Sequence, residues 1–266
     1  MKKALFIFGL LLVSSCEDPI DVTLPAHEKR VVIDAMLWRP VGETTGVLEV
    51  VLSRTTRFYN EAIPYIEGAT VTLKNQNVVF TVQENEKGHY KAKNIPVLLD
   101  ETFELAVAIE GTTYTASESL VLSTPIDSIT QGKETLISGE ETEAIVQFTD
   151  RDEEGNYYVM DFGYNNLFVT RDEFYNGEQL TFSFFYDKYF PKNTPTPIHL
   201  MGADKDFYTY MQVLISHAGQ DGGGPFATAK STLRGNIQNI TNPDAFPLGY
   251  FRVVERDTFI FTATEN

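Results

Sequence analysis

Thr102-Phe103-Glu104-Leu105-Ala106-Val107-Ala108-Ile109, followed by Glu110-Gly111 and then Thr112-Thr113-Tyr114-Thr115-Ala116, is the stretch that decides the fold. Phe103, Leu105, Val107 and Ile109 recur at every second position, so they line one face of an extended chain. Glu110-Gly111 is a tight hairpin turn, and the second arm resumes with β-branched and aromatic residues. The same reading extends towards the N-terminus. Val31 to Trp38 is rich in large and β-branched apolar residues and is closed by Arg39-Pro40. Val47 to Ser53, Ala69 to Leu73, Val78 to Val82 and a short strand opening at Gly88-His89-Tyr90 follow. About seven short strands without helical periodicity predict an antiparallel, immunoglobulin-like β-sandwich over residues 30–123.

Ser123-Thr124-Pro125-Ile126-Asp127 reads as a boundary, because proline favours an extended connection. Residues 124–266 then read as a second β-rich domain. Glu143 to Phe148 and Asn156 to Tyr164 are expected to pair as a hairpin, with strands at Leu167 to Thr170 and Gln179 to Phe185. Three prolines in Pro191 to Pro197 predict an exposed loop. Phe207, Tyr210, Met211, Leu214 and Ala218 form an apolar stripe at helical spacing, which predicts one substantial helix at about 204–218. Asp204 or Asp206 can cap its start and Gly219 can end it. Phe251 to Val254 and Thr258 to Thr262 are expected to make a last hairpin around Glu255-Arg256-Asp257.

The N-terminus carries an address. Lys2 and Lys3 precede an apolar run from Ala4 to Val13, which closes with Ser14-Ser15-Cys16. A basic start, a short apolar core and small residues before a cleavage point make residues 1–15 a secretory signal. The run is shorter than the roughly 20 residues of a membrane-spanning helix. An aliphatic residue, two small residues and then cysteine resemble a lipobox. That predicts acylation of Cys16 with palmitate-type chains and a lipidated tether over residues 16–29. Cys16 is the single cysteine, so its acylation leaves none for a disulfide. Without Lys2 and Lys3, 37 acidic residues face 19 basic ones, a formal charge of −18. Nucleic acid is excluded as a partner by that balance, and attraction to anionic lipid is excluded with it. The membrane attachment therefore runs through the acyl chains.

The chain resembles a Bacteroidota lipoprotein family, the "domain of unknown function" family numbered 4249. The resemblance is carried by short pieces in order along the mature chain. They begin with Cys16-Glu17-Asp18-Pro19, Arg30-Val31-Val32-Ile33-Asp34, Glu67-Gly68-Ala69-Thr70-Val71 and Gly88-His89-Tyr90. Tyr114 to Glu118 and Thr124 to Ile129 follow. The second half adds Gly155-Asn156-Tyr157-Tyr158, Gly224-Pro225-Phe226, Gly235-Asn236-Ile237 and Leu248-Gly249-Tyr250-Phe251. The chain departs at Asp100-Glu101, where a glycine-containing turn is expected. The resemblance implies a neighbourhood of TonB-dependent outer-membrane transporters and carries no established activity. Glu17-Asp18 after the cysteine resembles the acidic sorting signals of such lipoproteins. The expected location is the outer membrane, on its periplasmic or cell-surface face.

Catalytic constellations are sparse. No serine stands in a Gly-x-Ser-x-Gly elbow. His27, His89, His199 and His217 are scattered without a local partner motif. No cofactor, no zinc site and no enzymatic activity are expected. Asp150, Asp152 and Glu154 alternate before Gly155 and so offer a calcium loop, but the strand reading of Asn156 to Tyr164 favours a solvated turn. Asp127-Ser128-Ile129 resembles a bacterial O-glycosylation acceptor at Ser128. Six of the nine residues from Phe182 to Phe190 are aromatic, more than one strand face can bury. Tyr186, Tyr189 and Phe190 are therefore the candidate contacts for a partner or ligand, beside the glycine segment 219–225. Trp38, the only tryptophan, is expected in the core. The leading expectation is a non-enzymatic, outer-membrane-anchored lipoprotein acting with a TonB-dependent transporter. A stand-alone surface glycan- or peptide-binding lipoprotein is the alternative, and a hydrolase the third.

Overall fold

The computed structural model describes residues 29–56, 62–76, 78–136, 138–219 and 233–265. The fold is mainly β. In chain order the first strands are β1 (Val31–Pro40), β2 (Thr45–Arg54), β3 (Thr70–Lys74), β4 (Val79–Glu86), β5 (His89–Pro96), β6 (Thr102–Ile109) and β7 (Thr112–Ser119). They pair in the order β1-β2-β5-β4-β3-β6-β7. β4 is the corner of this ribbon. Its first half pairs with β3 (Val82 beside Val71) and its second half with β5 (Gln83 beside Lys91). The two layers so formed, β1-β2-β5-β4 and β3-β6-β7, close on one core that contains Ile33 and Leu37 with Phe103, Leu105 and Val107. Each such side chain contributes roughly 1.5–3 kcal/mol when fully buried. Glu84 fixes the corner by accepting the backbone N–H of Gly68 (2.8 Å) and of Gly88 (2.9 Å). These two backbone bonds hold its carboxyl below the usual range.

The remaining strands are β8 (Ile126–Gln131), β9 (Thr142–Thr149), β10 (Tyr157–Asp161), β11 (Leu167–Arg171), β12 (Gln179–Tyr186), β13 (Thr196–Ala203), β14 (Gln238–Asn239) and β15 (Leu248–Phe261). Helix α1 (Lys205–His217) lies between β13 and β14. β12-β9-β8 is a separate three-stranded sheet, whereas β11-β10-β13-β15 continues the first layer outward from β1. A second core fills the space between these two sheets, with Phe148, Tyr158, Phe162, Tyr186 and Leu200 inside it. Helix α1 packs on the opposite face through Phe207, Tyr208 and Met211, making a third core with Val159, Met201 and Tyr250.

Three local expectations are corrected. Glu143 to Phe148 and Asn156 to Tyr164 do not form a hairpin. β9 pairs with β8 and β12, β10 pairs with β11 and β13, and the two face each other across the second core. Residues 251–262 do not form a hairpin either, because β15 is one strand of 14 residues. Its three charged residues mimic a turn, yet each is used in place: Glu255 in an ion pair, Arg256 on an indole ring and Asp257 as acceptor of the Ile126 N–H. Part of the proline-rich loop is strand, since β13 begins at Thr196 and Pro197 sits opposite Ile260.

The chain passes from β7 to β8 through Leu120 to Pro125, and sheet pairing crosses that passage. β15 runs parallel to β1 and antiparallel to β13. It places Phe251 and Val253 in the first core and Phe261 in the second. Gly249 makes the close approach possible: its φ is +101°, and a Cβ there would sit 1.9 Å from the Ile33 carbonyl oxygen.

The predicted helix stands, and Asp204 is its cap, with Oδ1 accepting the Phe207 N–H at 2.7 Å. Asp204→Ala is expected to cost about 1 kcal/mol in urea unfolding while Asp204→Ser retains most of the stability. Equal loss in both variants would show that the cap contributes nothing.

Candidate functional site

Alternation decides which side chains reach the face of the large sheet that the second and third layers leave open. Ile33, Ala35 and Leu37 are committed to the first core, so β1 presents Asp34, Met36 and Trp38 on the other side. Register supplies their neighbours. Glu49 on β2 lies beside Met36, and Lys91 on β5 lies beside Glu49. On the other flank Arg252 of β15 lies beside Met36. Arg256 lies beside Met201 of β13, and His199 lies beside Asp161 of β10.

Where helix α1 does not cover it, this face forms a trough in three stretches. Glu118, Asp206, Tyr210, Asn236 and Tyr250 line an outer stretch of about 430 Å³. Tyr210 and Tyr250 lead into the middle stretch of about 610 Å³, between the helix and β10, which is walled by Met211, Leu214 and Leu167. Asp34 and Arg252 divide it from the last stretch of about 350 Å³, which ends at Glu49, His89 and Lys91. The floor is aromatic: the Tyr210 and Tyr250 rings stand 5.0 Å apart and the Phe207 and Tyr250 rings 5.1 Å apart.

The charges along the trough are held in place. Arg252 Nη1 donates to Asp34 Oδ1 at 2.6 Å, and its guanidinium lies 5.3 Å from the Phe207 ring centroid. Glu49 accepts the Trp38 indole N–H at 3.0 Å and the Lys91 ammonium at 2.5 Å. Burial pushes the Glu49 carboxyl up, but those two bonds and the nearby Lys91 and Arg256 charges outweigh it and leave its pKa lowered. Glu118 goes the other way: burial, with Asp204 and Asp206 nearby, raises it against its bond from Asn236. Arg256 lies over the Trp38 ring, its Cζ 3.4 Å from the ring centroid. Burial, aided by Arg252, lowers its pKa to about 10. Burial and then Arg256 lower His199, whose Nδ1 sits 2.9 Å from Thr258 Oγ1. Fixed paired charges above an aromatic floor suit recognition of a ligand with polar and apolar parts.

The sequence-selected residues fall elsewhere. Cys16, His27 and most of the glycine segment lie outside the described residues. Tyr186 and Phe190 are interior. Their rings stack 3.7 Å apart, and the Tyr186 hydroxyl donates to the Phe162 carbonyl at 2.9 Å. A turn explains this surplus of buried rings. Asp187 accepts the N–H of Tyr189 and of Phe190, folding Phe190 back over Tyr186 and leaving Tyr189 outside, 80% exposed. Asp150 is buried, and its carboxylate takes the Tyr158 hydroxyl at 2.5 Å and the Gly177 N–H at 3.1 Å, while Asp152 and Glu154 are exposed. Among the described residues no three acidic, histidine or cysteine side chains converge as metal ligands. Ser128 is part of β8 and donates to Gln147 Oε1 at 2.9 Å. Trp38 is half-buried at the edge of the third core.

Several pieces of the family resemblance meet as joints of the fold. Asn236 Nδ2 donates to Glu118 Oε1 (2.7 Å) and to the Phe251 carbonyl (2.8 Å), and its Oδ1 accepts the Phe251 N–H (2.9 Å). A Cβ on Gly235 would lie 1.7 Å from the Gly249 carbonyl oxygen. The Tyr90 hydroxyl accepts the Ala69 N–H at 2.9 Å. Asp172 accepts the N–H of Gly155 (2.7 Å) and of Asn156 (2.8 Å). At the departure from the family pattern, Asp100 takes the left-handed backbone with φ +62°, a conformation aspartate tolerates better than most residues.

Arg252, which lines the trough, and Arg256, which lies farther along the same face of β15 and lines none of its stretches, are residues that the sequence reading missed. Their signal was a period of two from Tyr250 to Arg256, which places both on one face. The supposed turn at Glu255-Arg256-Asp257 obscured it. A family model described as "Domain of unknown function (DUF4249)" matches residues 17–260. No curated protein matches the chain.

Proposed function

The chain belongs to the DUF4249 family, and from that membership and the trough we propose a non-enzymatic lipoprotein, anchored to the outer membrane through Cys16, that binds a ligand for a TonB-dependent transporter. The trough is the observation that carries the binding part of this reading. Its three stretches adjoin one another through shared lining residues, Tyr210 and Tyr250 at one junction and the Asp34–Arg252 pair, which divides them, at the other. The order β1-β2-β5-β4 against β3-β6-β7 supports an immunoglobulin-like reading of the first unit. Such sandwiches serve many binding proteins, although a fold alone assigns no function. The anchor rests on Val13-Ser14-Ser15-Cys16, and the family match begins at the next residue, Glu17. No helix of the described residues is long and apolar enough to cross a membrane.

Cys16→Ser is expected to abolish acylation and move the protein from the membrane pellet to the soluble fraction. Retention in washed outer membranes at high salt would overturn the anchor. Pull-down of the lipidated chain from native membranes without added ligand should bring a TonB-dependent transporter with it. Absence of a transporter, combined with a ligand-dependent rise in melting temperature, would instead identify a stand-alone binding module.

A further inference from the structure

The cations of this sheet face are not equivalent. Arg252 is neutralised by Asp34 and Lys91 by Glu49, each at hydrogen-bond distance. Arg39, on the same pair of strands but facing inward, is neutralised by Glu255. Arg256 has no ion pair and no hydrogen bond among the described residues. Its contact is the Trp38 ring, and its Nε is buried without a partner. In a chain with 37 acidic residues, a half-buried guanidinium that no carboxylate contacts is a charge balanced only at a distance, by Glu49 and Asp161. It is also held in place. The indole carries the guanidinium over its ring, and Glu49 holds the indole through Nε1, so the group is positioned before any ligand arrives.

We propose that Arg256, held over Trp38 and neighboured by Arg252, is the anchor for a carboxylate carried by a ligand on this sheet face. A planar carboxylate matches the fork of a guanidinium in a bidentate pair. Glu49 and Asp161 act electrostatically on Arg256 from the same face. A single negative charge tolerates those two carboxylates, whereas a phosphate dianion is repelled twice as strongly. Arg256 and Trp38 lie beyond the lining of the trough, so the inference extends the binding part of the reading above along the same sheet face and needs neither the transporter nor the lipid.

Trp38 is the only tryptophan, so its emission reports on this site alone. The purified full-length chain is titrated at constant ionic strength with D-glucuronate and with N-acetyl-alanine, a sugar and a peptide carrying the same group. D-glucose serves as the neutral control and inorganic phosphate as the dianion. A saturable change in Trp38 emission with either carboxylate supports the proposal, and the stronger response identifies the source. Arg256→Gln should weaken that response at least tenfold, Arg256→Lys should weaken it less, and Lys188→Gln on an exposed pair elsewhere should leave it unchanged. The melting temperature of each variant separates loss of binding from loss of fold, and Arg256→Lys carries the test if Arg256→Gln does not fold. Absence of a saturable response to both carboxylates, an equal response to phosphate, or an undiminished response in a folded Arg256→Gln protein would overturn the proposal. Its failure is distinct from failure to capture a transporter, which no step of the titration measures.

Discussion

Tyr186→Ala is expected to destabilise the protein by about 3–5 kcal/mol, the range for truncating a large aromatic side chain in a packed core. Tyr186 is 1% exposed and stands at the centre of the second core. Its ring stacks on Phe190 at 3.7 Å and meets Phe184 edge-on at 4.9 Å. Its hydroxyl donates to the Phe162 carbonyl, and burial pushes the phenol pKa well up, so the group stays neutral over the working pH range. Truncation removes the ring contacts, opens a cavity and leaves that carbonyl without its donor. Tyr186→Phe isolates the last effect, for which about 1 kcal/mol is expected. Tyr189→Ala, three residues on and largely exposed, should fall within roughly 0.5 kcal/mol of the parent. Urea unfolding followed by circular dichroism measures all three. Comparable losses at 186 and 189 would mean that the turn at Asp187 does not divide interior from exterior rings.

That contrast also shows where the sequence was legible. The period-two stretch read directly: Phe103, Leu105, Val107 and Ile109 of β6 lie buried where alternation puts them, because a strand with one buried face has a single register that satisfies it. The helix was equally plain, since its stripe and its Asp204 cap are both local signals. Pairing partners were less visible. β9 and β10 are neighbours in sequence but belong to opposite walls of one core, and only their packing across it separates them. The aromatic run misled for a related reason. Alternation counts one buried face per strand, but the chain turns after Tyr186 and returns Phe190 to the same face. The trough was the least legible feature, because it draws on β1, β2, β5, β15 and α1, segments from both ends of the chain. No local motif announces a site assembled by register.

Glu255→Gln tests the joint that made β15 hard to read. The Arg39–Glu255 pair is closed at 2.8 Å with both side chains almost wholly buried, 7% and 4% exposed. Glu255 is also the point where several segments meet. Oε1 accepts from Arg39 and from the Gly42 N–H at 3.2 Å, and Oε2 accepts the Ser123 N–H at 3.1 Å on the passage from β7 to β8. Arg39 Nη1 donates to the Val97 carbonyl, so the pair ties β1, the β1–β2 turn, the segment after β5 and that passage to β15. Removing one buried charge leaves the other uncompensated, and a loss of about 3–5 kcal/mol is expected for Glu255→Gln. Arg39→Met should cost a similar amount. The double variant Arg39→Met with Glu255→Met should recover part of the loss, since no lone charge remains. Recovery should stay incomplete because the Gly42 and Ser123 N–H groups lose their acceptor, a penalty an apolar replacement cannot remove. Urea unfolding of the two single variants and the double variant closes the cycle. Strictly additive single effects, or a Glu255→Gln loss below about 1 kcal/mol, would mean that the pair is solvated and that β15 holds the two cores together by its backbone ladder alone.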